Sequence, residues 1–295
     1  MDRLTLARVA AWGLVLAGLV AGSFRQVASP QALRHGDDLV LAADFHVHGF
    51  PGDGSLLPWD LSREAARRGL DAIALTNHNN QLSWRLVRAF PSLADGALLI
   101  QGEELTSVGY HMASVGADGT VDWRQPAAAA VRAIRQRGGV AIAAHPVGQE
   151  AKGFDAAALA ELDGYEAAHP LMFALEKDRR ELRAFELRAL AAKPGIAAIG
   201  STDFHSFAPL GFCRTFVFAR ERTATAIVEA IRRGRSVACD AEGEVYGPAD
   251  LTPVVVAACR AAAGSPARDA SSVSGFSAPL LWAGLLALVL LGVRG

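Results

Sequence analysis

Histidine and carboxylate side chains stand at the ends of several short apolar runs in this chain, and such groups can bind metal ions. The first group lies in residues 44–48, where Asp44, His46 and His48 follow the apolar run 39–43. Side chains alternate along a strand, so His46 and His48 point to one side with Asp44 in phase beside them. Two imidazoles on one side can bind one cation. A surface strand with two solvated histidines would have the same spacing.

Later apolar runs end in further groups of the same kind, which favours a metal site over a surface strand. Seven of the eight histidines lie after position 44, and at least five stand at the ends of predicted strands. Histidines scattered over a surface would rarely have this distribution. The sequence therefore predicts a metal site. Its candidate downstream residues are His78, Glu103, Glu104, His145, Glu166, Asp203 and His205.

The segments that carry these groups predict repeated βα units. Short apolar runs alternate with stretches rich in Ala, Arg and Leu. Residues just past the carboxyl ends of parallel strands converge on one mouth of a barrel, so this order would bring the metal-capable side chains together. The predicted fold class is α/β with a parallel, barrel-like sheet. Predicted strands are 39–45, 71–76, 97–101, 112–115, 140–144, 165–167, 197–201 and 215–218, and predicted helices are 58–68, 83–89, 126–137, 154–162, 175–192 and 224–233.

Composition argues against some classes of function. The 295 residues include 29 basic and 30 acidic side chains, and the basic residues form no tracts. This balance argues against a surface that coats nucleic acid, so nucleic acid is expected only as a substrate, and a small phosphorylated substrate is compatible with it. Cys213, Cys239 and Cys259 have no Cys-x-x-Cys spacing, so neither a zinc finger nor a dense disulfide framework is indicated, while one disulfide is allowed.

Both ends of the chain are apolar, and each predicts an export or membrane segment. Arg3 and Arg8 precede an apolar run, so residues 1–24 are predicted to be a signal peptide or signal anchor. The uncharged run 275–293 is long enough to cross a bilayer once, although a buried C-terminal helix is the alternative. These segments predict a membrane-anchored protein whose central part faces the periplasm or the cell exterior.

Seven short motifs occur in order: 44–48, 53–54 with Pro58, 76–79, 102–104, 109–111, 145–146 and 201–205. Their order and spacing resemble those of the PHP (polymerase and histidinol phosphatase) superfamily of metal-dependent hydrolases. Within it, the chain looks most like the stand-alone PHP phosphoesterases and the CehA/McbA-type metallohydrolases. The resemblance covers about residues 40–240 and implies a distorted seven-stranded βα barrel, TIM-like, with two or three divalent metal ions that are usually zinc, manganese or iron.

This resemblance also defines a predicted domain plan. The PHP metallohydrolase domain is expected at 39–250, between the two apolar ends. A linker at 25–38 would join it to the N-terminal segment. A second linker at 251–274 would lead to the transmembrane helix at 275–293.

The resemblance further implies roles for individual residues. His46 and His48 would bind the first metal together with Asp203, and Glu104 would bridge to a second metal. His145 and His111 would complete that second site. A third site would be made by Asp53, His78 and His205. The implied catalytic residues are Glu104, Asp203 and His205.

Some of these assignments have alternatives. Strand alternation puts Glu103 and Glu104 on opposite faces, and Glu104 is favoured because its spacing fits the family motif. Glu103 is then interpreted as a solvated or ion-paired neighbour. His111 could instead cap the following strand, and Asp53 could simply begin an Asp-Gly turn. His169 is interpreted as a loop residue or a substrate contact.

Asn77 departs from the family pattern, which commonly has Asp at this position. A neutral amide is a weaker metal ligand and cannot raise the basicity of a liganded histidine as a carboxylate does. The sequence therefore leaves open whether the third metal binds weakly or is absent.

The expected function is metal-dependent hydrolysis of a phosphate ester, whether a phosphomonoester, a phosphodiester or a nucleotide. Metals bridged by a carboxylate lower the pKa of a shared water, so that hydroxide can attack phosphorus near neutral pH. Two alternatives are a hydrolase of the same fold that cleaves a non-phosphate ester or amide, and a metal-binding membrane protein without catalysis.

Overall fold

One curved sheet forms the centre of this computed structural model, which describes residues 2–21, 33–170, 175–205, 209–264 and 277–292. The strands in these ranges are β1 (Leu33–His35), β2 (Asp38–Val47), β3 (Ala72–Leu75), β4 (Leu98–Thr106), β5 (His111–Val115), β6 (Val140–Ala143), β7 (Gly164–Ala168), β8 (Ala197–Gly200), β9 (Arg214–Ala219), β10 (Ser236–Cys239) and β11 (Val245–Tyr246).

The sheet is nearly closed into a barrel. Ten strands follow one another in the order β11-β10-β9-β2-β3-β4-β5-β6-β7-β8, while β1 pairs with β2 beside this path. The far end, β8, returns to β9 and β10. The Gly200 N–H donates to Thr215 Oγ1 at 2.9 Å, and the Ser236 hydroxyl donates to the Ala198 carbonyl at 2.9 Å. The strands therefore surround a common interior.

The sheet is mixed, which corrects the prediction of a parallel one. β2, β3 and β4 run parallel, as do β6, β7 and β8, but β5 is antiparallel to both of its neighbours and β9 is antiparallel to β2. β4 and β5 are joined by residues 107–110. Four residues are too few for the crossover that parallel pairing requires. The α/β class is confirmed, with a sheet of ten strands along its path where the resemblance implied seven.

Helices connect and cover the strands. Gly69, Gly138 and Gly234 follow three of them with φ of 74°, 84° and 66°, the left-handed conformation that ends helices. The helices in the described ranges are α1 (Arg3–Ala21), α2 (Pro58–Arg67), α3 (Leu82–Ala89), α4 (Ala127–Gln136), α5 (Ala156–Glu161), α6 (Glu176–Ala192), α7 (Ala224–Arg232), α8 (Thr252–Ala263) and α9 (Ser277–Gly292).

Helix α8 occupies residues within the predicted linker 251–274. Its Val255 and Cys259 are fully buried, and Cys259 forms a disulfide with Cys239 at the end of β10. The apolar positions of this helix therefore pack onto the sheet. The remaining linker residues 265–274 lie outside the described residues, as do 22–32.

Both faces of β2 are covered by apolar side chains. Leu41 and Phe45 contribute to one buried cluster, and Val40 and Ala42 contribute to another. Because both faces are covered, the polar residues near the end of this strand are also withdrawn from water. Buried polar groups need hydrogen-bond or metal partners to offset their lost hydration.

The terminal helices correct the membrane prediction. α9 has 16 residues, about 24 Å at 1.5 Å per residue, whereas a bilayer core is about 30 Å thick. Across the described ranges, no helix combines the length and the apolar character that crossing a membrane requires. The predicted transmembrane helix at 275–293 and the membrane-anchored location deduced from it are therefore wrong. Instead α9 packs against α1, where a Cβ on Gly284 would lie 2.7 Å from the Ala11 carbonyl oxygen.

Candidate metal centre

The metal-capable side chains meet at one mouth of the barrel. A short parallel contact explains how the chain achieves this: Val47 bridges Phe204, the His48 N–H donates to the Phe204 carbonyl at 2.8 Å, and the Phe204 N–H donates to the His46 carbonyl at 3.2 Å. Residues 203–205 thus lie alongside the end of β2. This pairing sets Asp203 and His205 beside His46 and His48, about 155 positions away in sequence.

Four of these atoms surround a single point. Asp203 Oδ1 lies 3.2 Å from His46 Nε2 and 3.2 Å from His48 Nε2. Glu104 Oε2 lies 3.5 Å from each of the same two nitrogens. Ligands about 2.0–2.1 Å from a tetrahedrally coordinated ion are separated by about 3.3 Å. The spacing of these atoms therefore suits one small divalent cation.

The hydrogen bonding of the described residues supports this reading. His46 Nε2, His48 Nε2 and Asp203 Oδ1 are buried, and none has a hydrogen-bond partner among the described residues. Leaving three buried polar atoms without such partners is costly. A cation bound between them would remove that cost, so these residues fit a metal.

Glu104 reaches a second group with its other oxygen. Glu104 Oε1 lies 2.9 Å from His111 Nδ1 and 3.3 Å from His145 Nε2. His145 Nε2 is also 4.0 Å from Asp203 Oδ2. The two oxygens of Glu104 therefore face two adjacent clusters, as a bridging carboxylate would.

A third cluster lies toward solvent and centres on Asp53. Asp53 Oδ2 is 3.2 Å from His78 Nε2 and 3.1 Å from His205 Nε2, while Asp53 Oδ1 is 3.0 Å from His48 Nδ1. The Asp53 side chain is 44% exposed. Each of these four residues offers an atom that could hold a cation, but this cluster is more exposed to solvent than the first. All nine sequence-predicted ligands therefore lie in three adjoining groups.

Asn77 contacts backbone rather than the clusters. Its Oδ1 accepts from the Gly49 N–H at 3.0 Å, and its Nδ2 donates to the carbonyls of Gly49 at 2.7 Å and Pro51 at 2.8 Å. A carboxylate could not donate these last two bonds. Asn77 therefore holds the loop that carries Asp53, a role that the motif alone did not indicate.

Two carboxylates that the sequence placed beside the site also contact backbone groups. Asp44 accepts from the Thr202 and Gly211 N–H groups, each at 3.1 Å, and so fastens the segment that carries Asp203. Burial raises the pKa of Asp44 to about 6. Glu103 was interpreted as solvated or ion-paired, but it is fully buried and accepts from the Val121 N–H at 2.6 Å.

The ligand set implied by the resemblance omits two site residues, Glu166 and His169, although Glu166 was among the candidates taken from the strand ends. Both are fully buried beside the first cluster. Glu166 Oε1 lies 2.9 Å from His46 Nδ1, and His169 Nε2 lies 3.8 Å from Asp203 Oδ2. Glu166 is the sole charged residue in the apolar strand β7, and a lone charge in an apolar strand is the sequence feature that points to a role in the site.

Electrostatics favour a cation at this mouth. Burial by itself would raise the pKa of Glu104, but His46, His111 and His145 hold it well below its usual range. The pKa of Asp203 is likewise lowered, because His46 and His48 outweigh its burial. Conversely, burial alone would lower the pKa of His46, but Asp203, Glu104 and Glu166 raise it well above its ordinary value. Metal binding would replace protons on such histidines.

Comparisons with known proteins agree with the motifs. Residues 185–236 match the model of the PHP-associated family. A two-domain protein from Bacteroides vulgatus that contains a predicted PHP-like metal-dependent phosphoesterase has a TM-score of 0.59 and 24% identity, over 78% of this chain and 73% of that one. PsfC from Pseudomonas syringae has a TM-score of 0.50 and 17% identity, over 74% of this chain and 96% of that one. No curated protein sequence matches significantly.

These comparisons concern the fold and one segment of the chain. The likeness to the two structures establishes a shared fold, and the family model matches the segment from α6 to β10. The predicted resemblance to the PHP superfamily is thus confirmed. The narrower resemblance to CehA/McbA-type enzymes stays a prediction.

Proposed function

We propose that this protein is a metal-dependent hydrolase of phosphate esters built on a PHP-type, TIM-like barrel. The observation that carries the proposal is the convergence of His46 Nε2, His48 Nε2, Asp203 Oδ1 and Glu104 Oε2 at metal-ligand spacing. The B. vulgatus protein of similar fold contains a predicted metal-dependent phosphoesterase, which supports the choice of substrate class.

Each cluster has a role in this proposal. His46, His48 and Asp203 would hold one divalent cation, Glu104 would share its two oxygens between that cation and a second one, and His111 and His145 would complete the second site. Zinc, manganese and ferrous iron all suit mixed imidazole and carboxylate ligands. When bound, such cations activate water as a nucleophile near neutral pH and neutralise charge on the ester.

The protein's own side chains would position the substrate and move protons. Asp53, His78 and His205 line the solvent side of the mouth, where an ester group would enter. His205 would be the donor of a proton to the leaving oxygen, since its ring is partly exposed and Asp53 lies 3.1 Å from its Nε2. His169 stands on the opposite, buried side and is less accessible to a leaving group.

The test uses the purified full chain. Bound metal is measured, and hydrolysis of bis(4-nitrophenyl) phosphate, 4-nitrophenyl phosphate and 4-nitrophenyl acetate is assayed with added Mn²⁺ or Zn²⁺. Hydrolysis of either phosphate ester supports the proposal. Hydrolysis of the acetate alone would identify a carboxylic-ester hydrolase, and stoichiometric metal without hydrolysis of any substrate would favour a binding protein.

Substitution of the shared ligands gives the first prediction. Glu104→Gln and Asp203→Asn should each lose bound metal and phosphoesterase activity together, by more than the about 10- to 100-fold typical of outer-shell substitutions. Metal analysis and steady-state kinetics on the same samples measure both losses. The matched control is Glu103→Gln, because Glu103 is an equally buried neighbour that faces away from the clusters. Full activity in either ligand variant would refute the proposed site.

A further inference from the structure

We propose that Glu166 is a positioning residue that joins the first two metal clusters, and this inference rests on the proposed metal centre. Glu166 lies in the middle of β7, within the apolar sequence GYEAA, and is fully buried. Its two oxygens contact two different metal-binding histidines. Oε1 lies 2.9 Å from His46 Nδ1, and Oε2 accepts from the His145 N–H at 2.6 Å.

The first contact determines which nitrogen of His46 can bind a metal. An ionised carboxylate only accepts hydrogen bonds, so the proton of a neutral His46 ring must lie on Nδ1. The lone pair of Nε2 is then directed at the point shared with Asp203 Oδ1, 3.2 Å away. A carboxylate in this position also increases the basicity of a ligating imidazole.

The second contact holds the backbone of the second cluster. His145 has a φ of 27°, in the left-handed region that non-glycine residues seldom adopt. The hydrogen bond from its N–H to Glu166 stabilises this turn directly after β6. In that conformation the His145 ring lies with Nε2 3.3 Å from Glu104 Oε1. One carboxylate thus orients a ring in one cluster and a main-chain turn in the next.

Direct ligation of a metal by Glu166 is the competing role, because His46, Glu166 and His169 lie close enough together to hold an ion. That ion would need Nδ1 of His46, while Nε2 already belongs to the first cluster. A neutral imidazole has one lone pair and cannot bind two cations. Both Glu166 oxygens are also at hydrogen-bond distance from nitrogen atoms, which favours positioning over ligation.

Glu166→Gln tests the proposal, because glutamine has one acceptor oxygen for the two N–H groups that Glu166 now satisfies. Competition with a chelator should show that Zn²⁺ dissociates from the variant with a constant about 10- to 100-fold higher, at unchanged stoichiometry. The absorption bands of the Co²⁺-loaded variant should keep their positions, because the ligands themselves are unchanged. A lost metal equivalent or shifted bands would instead identify Glu166 as a ligand.

Glu103→Gln is a closely matched control. Glu103 is likewise a fully buried strand residue that accepts a backbone N–H at 2.6 Å, but it contacts no imidazole among the described residues. This variant should keep the Zn²⁺ affinity of the wild-type protein. A loss of affinity equal to that of Glu166→Gln would mean that the effect is general destabilisation, and would overturn the proposal.

A measurement on the unaltered protein keeps the proposal testable if Glu166→Gln does not fold. In the Zn²⁺-loaded protein, nitrogen NMR of His46 should show a protonated Nδ1 and a metal-bound Nε2. A metal-bound Nδ1 would overturn the proposal. Neither metal affinity nor NMR depends on substrate, so failure of the phosphoesterase assay alone would refute the proposed function and leave this inference standing.

Discussion

Residues of the candidate site divide into those whose atoms could hold a cation and those that hold the backbone presenting them. Asn77 illustrates the second task. Its motif position suggests a weakened metal ligand, yet its amide makes three hydrogen bonds to the backbone at Gly49 and Pro51. A residue type that differs from the family at a metal motif can therefore serve the loop rather than the metal.

Replacement of Asn77 by the family's usual Asp should consequently destabilise the protein. Asn77→Asp removes two donors and sets a buried carboxylate against two carbonyl oxygens, a change expected to cost about 1–3 kcal/mol. Urea unfolding of the metal-free protein measures the loss. Asn80→Asp is the comparison: it loses only one donated bond, from Nδ2 to the His78 carbonyl at 2.8 Å, and an Asp there still accepts from the Leu82 N–H, so its loss should be smaller. Equal or greater stability of Asn77→Asp would contradict this account.

Secondary-structure elements position the site through strand ends and through buried contacts between neighbouring strands. Asp71 directly precedes β3 and accepts from the Ala42 N–H of β2 at 2.9 Å. It is buried, and burial raises the pKa of its carboxyl above the ordinary value. β2 carries His46 and His48, so the contact between these two strands helps to position the candidate metal centre.

The raised pKa of Asp71 predicts a pH-dependent stability. An acid whose pKa is higher in the folded state binds more protons folded than unfolded. Its contribution to the stability of the folded state is therefore present below the unfolded pKa and is lost as pH rises through the folded pKa. Asp71→Asn cannot titrate but keeps the acceptor for Ala42. The free energy of unfolding of the variant, minus that of wild type, should therefore be larger at pH 7 than at pH 4, which means that the variant gains relative stability as pH rises. Asp122→Asn, at an exposed position, provides the control. A difference that is the same at both pH values would rule out this role for Asp71.

At the scale of the whole molecule, the clusters draw together segments from most of the barrel. Ligand atoms come from β2 and its following loop, from β4 and β5, and from the segments after β3, β6 and β8. Several carboxylates and histidines are crowded at this mouth. Cations that bind the folded state alone would therefore link these segments and stabilise the entire barrel.

Metal removal should accordingly lower the thermal midpoint. A cation present at about 100 times its dissociation constant stabilises the folded state by about 2.7 kcal/mol, which for a protein of this size corresponds to roughly 5–10 °C. Scanning calorimetry with and without chelator measures the shift. Glu104→Gln should show a much smaller metal-dependent shift. An unchanged midpoint in the wild-type protein would argue against a resident metal.

Much of this architecture was predictable from local pattern. Period-two alternation predicted that His46 and His48 share a side of β2, and their nitrogens do lie equidistant from Asp203 Oδ1. The eight strands from β2 to β9 correspond to the eight predicted apolar runs. β1, β10 and β11 lie outside the predicted strands, and β1 and β11 have only three and two residues.

Long-range contacts determined the rest. The closure of the sheet and the packing of α9 on α1 depend on which distant surfaces meet, and no local period records that. The same holds for Glu166, which lies 120 positions from His46 yet contacts its ring. The amino-acid sequence by itself determined the residue types, their positions at strand ends and the resemblance to the PHP superfamily. The tertiary structure alone decided which carboxylates face the candidate cation sites and which bind backbone. Strand alternation defines the face of the sheet to which a side chain points, but not the groups that pack against that face.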